Sequence, residues 1–203
     1  LGSPGFSLSR KPNPQSPIST IVYLLLAIIV LAAFFRLWHF ATLPFGVWYD
    51  EAENALQTMR FVGNPPGIPP AWPIIGGSIR PPAHYLALIA LAFHFFDVSV
   101  QSVRVVSVVM GLATVVAGYL VGRELFGRAM GVALAFLLAV SHWAVNVSRF
   151  GMYNASTPLF ALLAAGFLLR GLRRNRHLDF ALAGLSLGLG LCFYAAFQLF
   201  LGV

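Results

Sequence analysis

This chain is short of charge. Only 9% of its 203 residues are Asp, Glu, Lys or Arg, where a soluble domain carries about 25%, and that shortage excludes an ordinary solvated globule. Acid is scarcer still, with 6 Asp and Glu against 13 Lys and Arg, for a net charge of +7. The basic excess does not indicate nucleic acid, because the arginines sit at the ends of apolar runs, the pattern that orients membrane helices. A single cysteine, Cys192, excludes an intrachain disulfide. What the chain has in quantity is apolar surface, 59% of its residues. The expected fold class is therefore all-α integral membrane, with membrane lipid as an obligatory partner.

The Pro- and Ser-rich residues 1–17 read as a flexible cytoplasmic tail. Five runs approach the roughly 20 residues that cross a bilayer: about 18–38, 103–122, 129–148, 155–170 and 178–201. The first lacks a small-residue cleavage site and reads as an uncleaved anchor. The run at 81–96 is the ambiguous one, and the positive-inside rule arbitrates. If it spans, Arg10, Lys11, Arg104 and Arg149 lie inside and the other nine Lys and Arg outside. If it does not, Arg123, Arg128, Arg170, Arg173, Arg174 and Arg176 join Arg10 and Lys11 inside, leaving five outside. The second topology wins. It predicts about five transmembrane helices and an outer loop, 41–102, with interfacial helices at about 50–62 and 82–96. The N-terminus is then cytoplasmic, and a bacterial inner membrane is the expected location. The chain starts without Met and stops inside an apolar run, so it is expected to be part of something longer.

Half of the acid falls in "WYDEAENALQTMRF", as Asp50, Glu51 and Glu53. Ala52, Ala55, Leu56 and Met59 share one face there, which predicts an amphipathic surface helix. Two readings stay open: Asp50 is the N-cap of that helix, or it is a base or divalent-metal ligand at the membrane face. Arg80 precedes two prolines, and Arg149 closes a span; either guanidinium could pair with a lipid phosphate or simply anchor the interface. His84, His94 and His142 match no metal-ligand spacing. Gly184 and Gly188, four apart, suit close helix packing in lipid.

In order along the chain, "WYDEAENA", "RPPAHYLALIALAF", "SVRVVSVVMGLATVVAGYLVGRELFG", "GVALAFLLAVSHWAVNVSRFGMYN", "TPLFALLAAGFLLRGLRR" and "DFALAGLSLGLGLCFYA" resemble the N-terminal part of the GT-C membrane glycosyltransferases. The likeness is to the family 39 type, related to protein O-mannosyltransferases and aminoarabinose transferases, and it covers about residue 18 to the end. It implies transfer of a sugar from a polyprenyl-phosphate donor to an acceptor at the outer face. Asp50 and Glu51 occupy the place of the family's active-site acidic residue, often an Asp-Glu pair, and Arg80 matches its basic residue before the double proline, which would meet the carrier phosphate; Arg149 is a further candidate for that phosphate. A divalent metal is an open cofactor. Where many members carry a second acid after an Arg, this chain has Asn154. The alternative reading is a truncated, noncatalytic relative that serves as a structural subunit among other membrane subunits.

Overall fold

The computed structural model describes residues 17–62 and 81–202. They form eight α-helices: α1 (Pro17–Leu37), α2 (Tyr49–Phe61), α3 (Ala83–Phe96), α4 (Val100–Phe126), α5 (Arg128–Val140), α6 (His142–Arg149), α7 (Thr157–Arg174) and α8 (His177–Phe193). Two 3-10 segments, Tyr153–Ser156 and Ala195–Gly202, complete the order, and no strand occurs among the described residues. The fold is that of an all-α membrane protein. The expected N-terminal tail up to residue 16, and Arg80, lie outside the described residues.

Three helices are long and apolar enough to cross a membrane: α1, α4, and α7 with its leading 3-10 turn. The pair α5–α6 makes a fourth span if its 56° bend is counted as one crossing. With 17 residues, α8 sits at the short limit of spanning helices. The 14 residues of α3 extend only about 21 Å at 1.5 Å per residue, too short for a hydrocarbon layer of about 30 Å.

The hub is α4, which packs against α1, α2, α3, α5, α6 and α7. Lipid supplies no hydrophobic drive between spans, so close approach through small residues carries the association. A Cβ on Gly122 would stand 2.9 Å from the Gly131 Cα, and one on Gly131 would stand 2.7 Å from the Tyr119 carbonyl oxygen. These two glycines set the α4–α5 distance. Gly184 and Gly188, the pair singled out in the sequence, face open space instead; they weld no helix contact among the described residues. Spacing alone cannot say which glycines meet a neighbour.

The bend between α5 and α6 has an identifiable cause. An unbroken helix would satisfy the carbonyls of Leu138 and Ala139 with amides four residues further on. Here Arg36, from the end of α1, donates to both, at 3.2 and 3.3 Å, while the Ser141 side chain caps the restarting helix at Ala144 N. A side chain inserted into the ladder is a recognised origin of a kink.

The two ends of the bundle differ in chemistry. The α4–α5 and α7–α8 turns gather the expected cytoplasmic arginines, and there Glu124 accepts from Arg174 at 2.8 Å and Asp179 pairs with Arg170. At the other end, the loop after α1, helix α2, the start of α4 and residues 149–153 meet through hydrogen bonds. The acidic loop and "SRFGMYN" therefore share an end, as the charge count required.

Candidate functional site

Helix α2 begins two residues earlier than a cap at Asp50 would require. Trp48 is the extended flanking residue, Tyr49 opens the helix and Asp50 is its second residue. Glu51, the third, reaches back to accept from the Trp48 backbone N–H at 3.0 Å, which is the acidic half of a capping box. The capping role expected of Asp50 thus belongs to Glu51.

Glu51 is 1% exposed and saturated. Arg104 of α4 clasps it with two charge-assisted bonds, Nε to Oε1 at 2.7 Å and Nη2 to Oε2 at 2.9 Å. The Gly151 N–H adds a third donor at 2.8 Å. Burial alone would raise this carboxyl, but the Arg104, Trp48 and Gly151 hydrogen bonds outweigh it and hold Glu51 below its ordinary value. Arg104 also donates to the carbonyls of Pro44 and Gly46, at 3.2 and 2.8 Å. One buried ion pair therefore fixes the loop before α2, the first turn of α2 and residue 151 at once. As a member of a catalytic pair, Glu51 has no lone pair to offer; its place is in positioning.

This pull rotates the expected face of α2. Glu51, Asn54 and Thr58 are its buried residues, a polar stripe at i, i+3 and i+7. Ala55 and Met59 pack on the core cluster around Tyr85, Ile89 and Phe93 beside it, but Leu56, expected on the packed face, is 51% exposed. Asn54 donates to the Gly151 carbonyl at 2.7 Å, and the Thr58 hydroxyl returns to the Asn54 carbonyl at 2.7 Å. A buried guanidinium outranks aliphatic side chains in setting the rotation, because an unpaired buried charge costs several kcal/mol, roughly 3–5 when one partner is removed.

Residues 149–153 are stitched from every side. Gly151 is held by Glu51 through its N–H and by Asn54 through its carbonyl, and a Cβ there would meet Val103 Cγ1 at 2.5 Å. The Ser107 hydroxyl donates to the Met152 carbonyl at 3.1 Å and shares a hydrogen bond with the Tyr85 hydroxyl. Arg149 is buried, its Nη1 donating to Phe35 O at 2.7 Å and its Nη2 to Trp38 O at 2.6 Å and Leu43 O at 3.0 Å. Its terminal nitrogens are committed to carbonyls around the end of α1, where a cation is favoured by the helix dipole. Arg149 therefore clamps the end of α1 and the loop after it.

Asp50 is the contrast. It is exposed, with Tyr153 near enough to feel its charge. It makes no hydrogen bond or ion pair among the described residues, whereas Glu51, Glu53, Glu124 and Asp179 are each held. Only Asp97, at the end of α3, is comparably unpaired and exposed. No three His, Cys, Asp or Glu side chains come together as a metal set among the described residues. A cation bridging Asp50 and Glu51 does not fit, because the lone pairs of Glu51 face Arg104, Trp48 and Gly151.

The sequence reading missed Arg104 as part of the site. The signal was present: a cation four residues into a long apolar helix demands a partner.

A family profile described as dolichyl-phosphate-mannose-protein mannosyltransferase matches residues 80–201, more than half of the chain. The match takes in α3 through the last 3-10 segment, with Arg104 and Arg149, and starts after Asp50 and Glu51. No curated protein and no solved structure matches the chain.

Proposed function

The chain belongs to the dolichyl-phosphate-mannose-protein mannosyltransferase family, and from that premise we propose that it moves a sugar from a polyprenyl-phosphate donor to an acceptor at the outer membrane face, with Asp50 as general base. The observation that carries the reading is the division of labour between two adjacent acids. Glu51 is locked against Arg104, while Asp50, the preceding residue on the same turn, is exposed and makes no hydrogen bond or ion pair among the described residues. A base needs a free carboxylate held in a fixed place, and this pair supplies both parts.

In the proposed step the acceptor oxygen attacks the anomeric carbon, the bond from that carbon to the carrier phosphate oxygen breaks, and the acceptor proton passes to Asp50. The configuration inverts. Arg80, before the double proline, is the proposed partner of the departing phosphate, a form of electrostatic stabilisation. Arg149 supports the step by fixing residues 35–43 and not by touching the phosphate.

The test uses the chain in its native membrane with a polyprenyl-phosphate sugar. Asp50→Asn removes the base and lowers transfer by about 100-fold or more, within the usual range for a positioned acid–base group. Asp97→Asn, which alters the other unpaired carboxylate, leaves it unchanged. Full transfer by Asp50→Asn would sink the assignment. A wild-type chain with no transfer activity would favour the structural-subunit reading.

A further inference from the structure

Arg36 poses an electrostatic problem that the proposed reaction does not use. It is 1% exposed, and each of its hydrogen-bond partners is a carbonyl: Ala32, Ala139 and Leu138. No acidic side chain among the described residues neutralises it. Glu51 is on Arg104, Glu124 on Arg174, Asp179 on Arg170 and Glu53 on Gln57, and Asp50 and Asp97 are exposed. The six carboxylates of the sequence are thereby accounted for. Carbonyls at the ends of α1 and α5 offer partial negative charge but not a full countercharge, and a buried ion without one is costly.

The side chain lines a cavity of about 480 Å³. Two other lining residues, Asn154 and Thr157, share its condition: Arg36 Nε, Asn154 Oδ1 and Thr157 Oγ1 are all buried with no hydrogen-bond partner. Three orphaned polar atoms around one space point to an occupant that satisfies them. The rest of the wall is largely apolar, including Leu138, Val147 and Pro158, beside Thr114, Ser141 and Ser148, whose hydroxyls already bond to the backbone. Trp143, which also lines it, is 78% exposed, and α6, which carries it, packs mainly on α1, α4, α5 and the 3-10 turn at residue 153 among the described residues. An anion that enters from this flank arrives attached to something apolar.

We infer that the cavity holds the phosphate of a membrane phospholipid. Arg36 Nε–H and the Thr157 hydroxyl donate to the phosphate oxygens, and the Asn154 carboxamide meets a headgroup hydroxyl or amine. The acyl chains leave past Trp143 along α6. Asp50 does not line the cavity, so the bound lipid is a resident component and not the reacting sugar donor. By tying the end of α1 to the start of α7 it would brace the end of the bundle that carries the acidic loop.

The experiment is native mass spectrometry of the whole chain in mild detergent, titrated with phosphatidylglycerol, polyprenyl phosphate or inorganic phosphate. The wild type is expected to retain phosphatidylglycerol, and neither of the other two displaces it. Arg36→Gln removes the charge and also loosens the α5–α6 break. Thr157→Val is therefore the cleaner variant, because that hydroxyl has no protein partner to lose. It weakens phosphatidylglycerol by about tenfold, as loss of one bond to a charged group predicts, with an unchanged melting temperature in lipid-free detergent. Asp50→Asn binds phosphatidylglycerol as the wild type does. Unchanged binding in both Arg36→Gln and Thr157→Val overturns the inference and leaves a water-filled cavity. Displacement by inorganic phosphate would make it a site for free anions, and displacement by polyprenyl phosphate would assign it to the sugar carrier; either result also overturns the proposal.

Discussion

Replacing Arg104 by Met leaves the Glu51 carboxylate buried with only two backbone N–H donors, from Trp48 and Gly151. The variant removes two short charge-assisted bonds between side chains that are 3% and 0% exposed, so solvent screening offers little relief. Breaking such a pair from one side costs about 3–5 kcal/mol, or roughly two to three and a half orders of magnitude in the folding equilibrium. The carbonyls of Pro44 and Gly46 also lose their donor, which loosens the loop that leads into Asp50. Glu51→Leu alone should cost a similar amount, because it strands the guanidinium. The double variant Glu51→Leu with Arg104→Met replaces the pair by apolar groups and should recover much of the loss. Reversible unfolding in mixed micelles, followed by tryptophan fluorescence, gives the three free energies. A coupling energy of at least about 2 kcal/mol is expected for such a buried network. The reasoning fails if Arg104→Met costs less than about 1 kcal/mol, the scale of a surface ion pair, or if the double variant loses the sum of the singles.

Three further outcomes follow from the same geometry. Gly151→Ala drives a methyl group into Val103 and strains both backbone bonds of residue 151, so it should lower the melting temperature and sugar transfer together; normal behaviour in both would contradict the clamp. Gly131→Leu should separate α4 from α5 and unfold the protein, whereas Gly184→Leu, which faces open space, should be silent; thermal melts in detergent decide between them. Glu51 titrates below its ordinary value of 4.5 in the folded protein, so its contribution is fully present above that pH and is lost as pH falls through the folded value. The stability gap between wild type and Glu51→Gln should hold at neutral pH and close in acid; a gap that widens on acidification would reverse the sign.

Helix existence was legible because spans are long apolar runs, and length alone marks them. The end-to-end placement of the acidic loop and "SRFGMYN" followed from counting arginines, since charge asymmetry orients spans whatever their packing. Rotation was not legible. Ala52, Ala55, Leu56 and Met59 form a credible apolar face, yet α2 turns Glu51, Asn54 and Thr58 inward. The deciding partner, Arg104, lies 53 residues away, and local periodicity cannot register it. Arg149 and Glu51 were expected at the chemistry because their residue types suit it; the structure gives Glu51 four N–H donors and ties Arg149 to three carbonyls, all but one of them from distant segments.

By itself the sequence determined the solvent, the helices and their order, because these depend on the composition of single segments and on net charge at their ends. The tertiary structure alone decided which of two neighbouring acids is buried, which is exposed, and which arginines hold carbonyls. Adjacent residues on a helix point about 100° apart, so one small rotation, set by a single buried guanidinium, sends Glu51 into the core and leaves Asp50 outside.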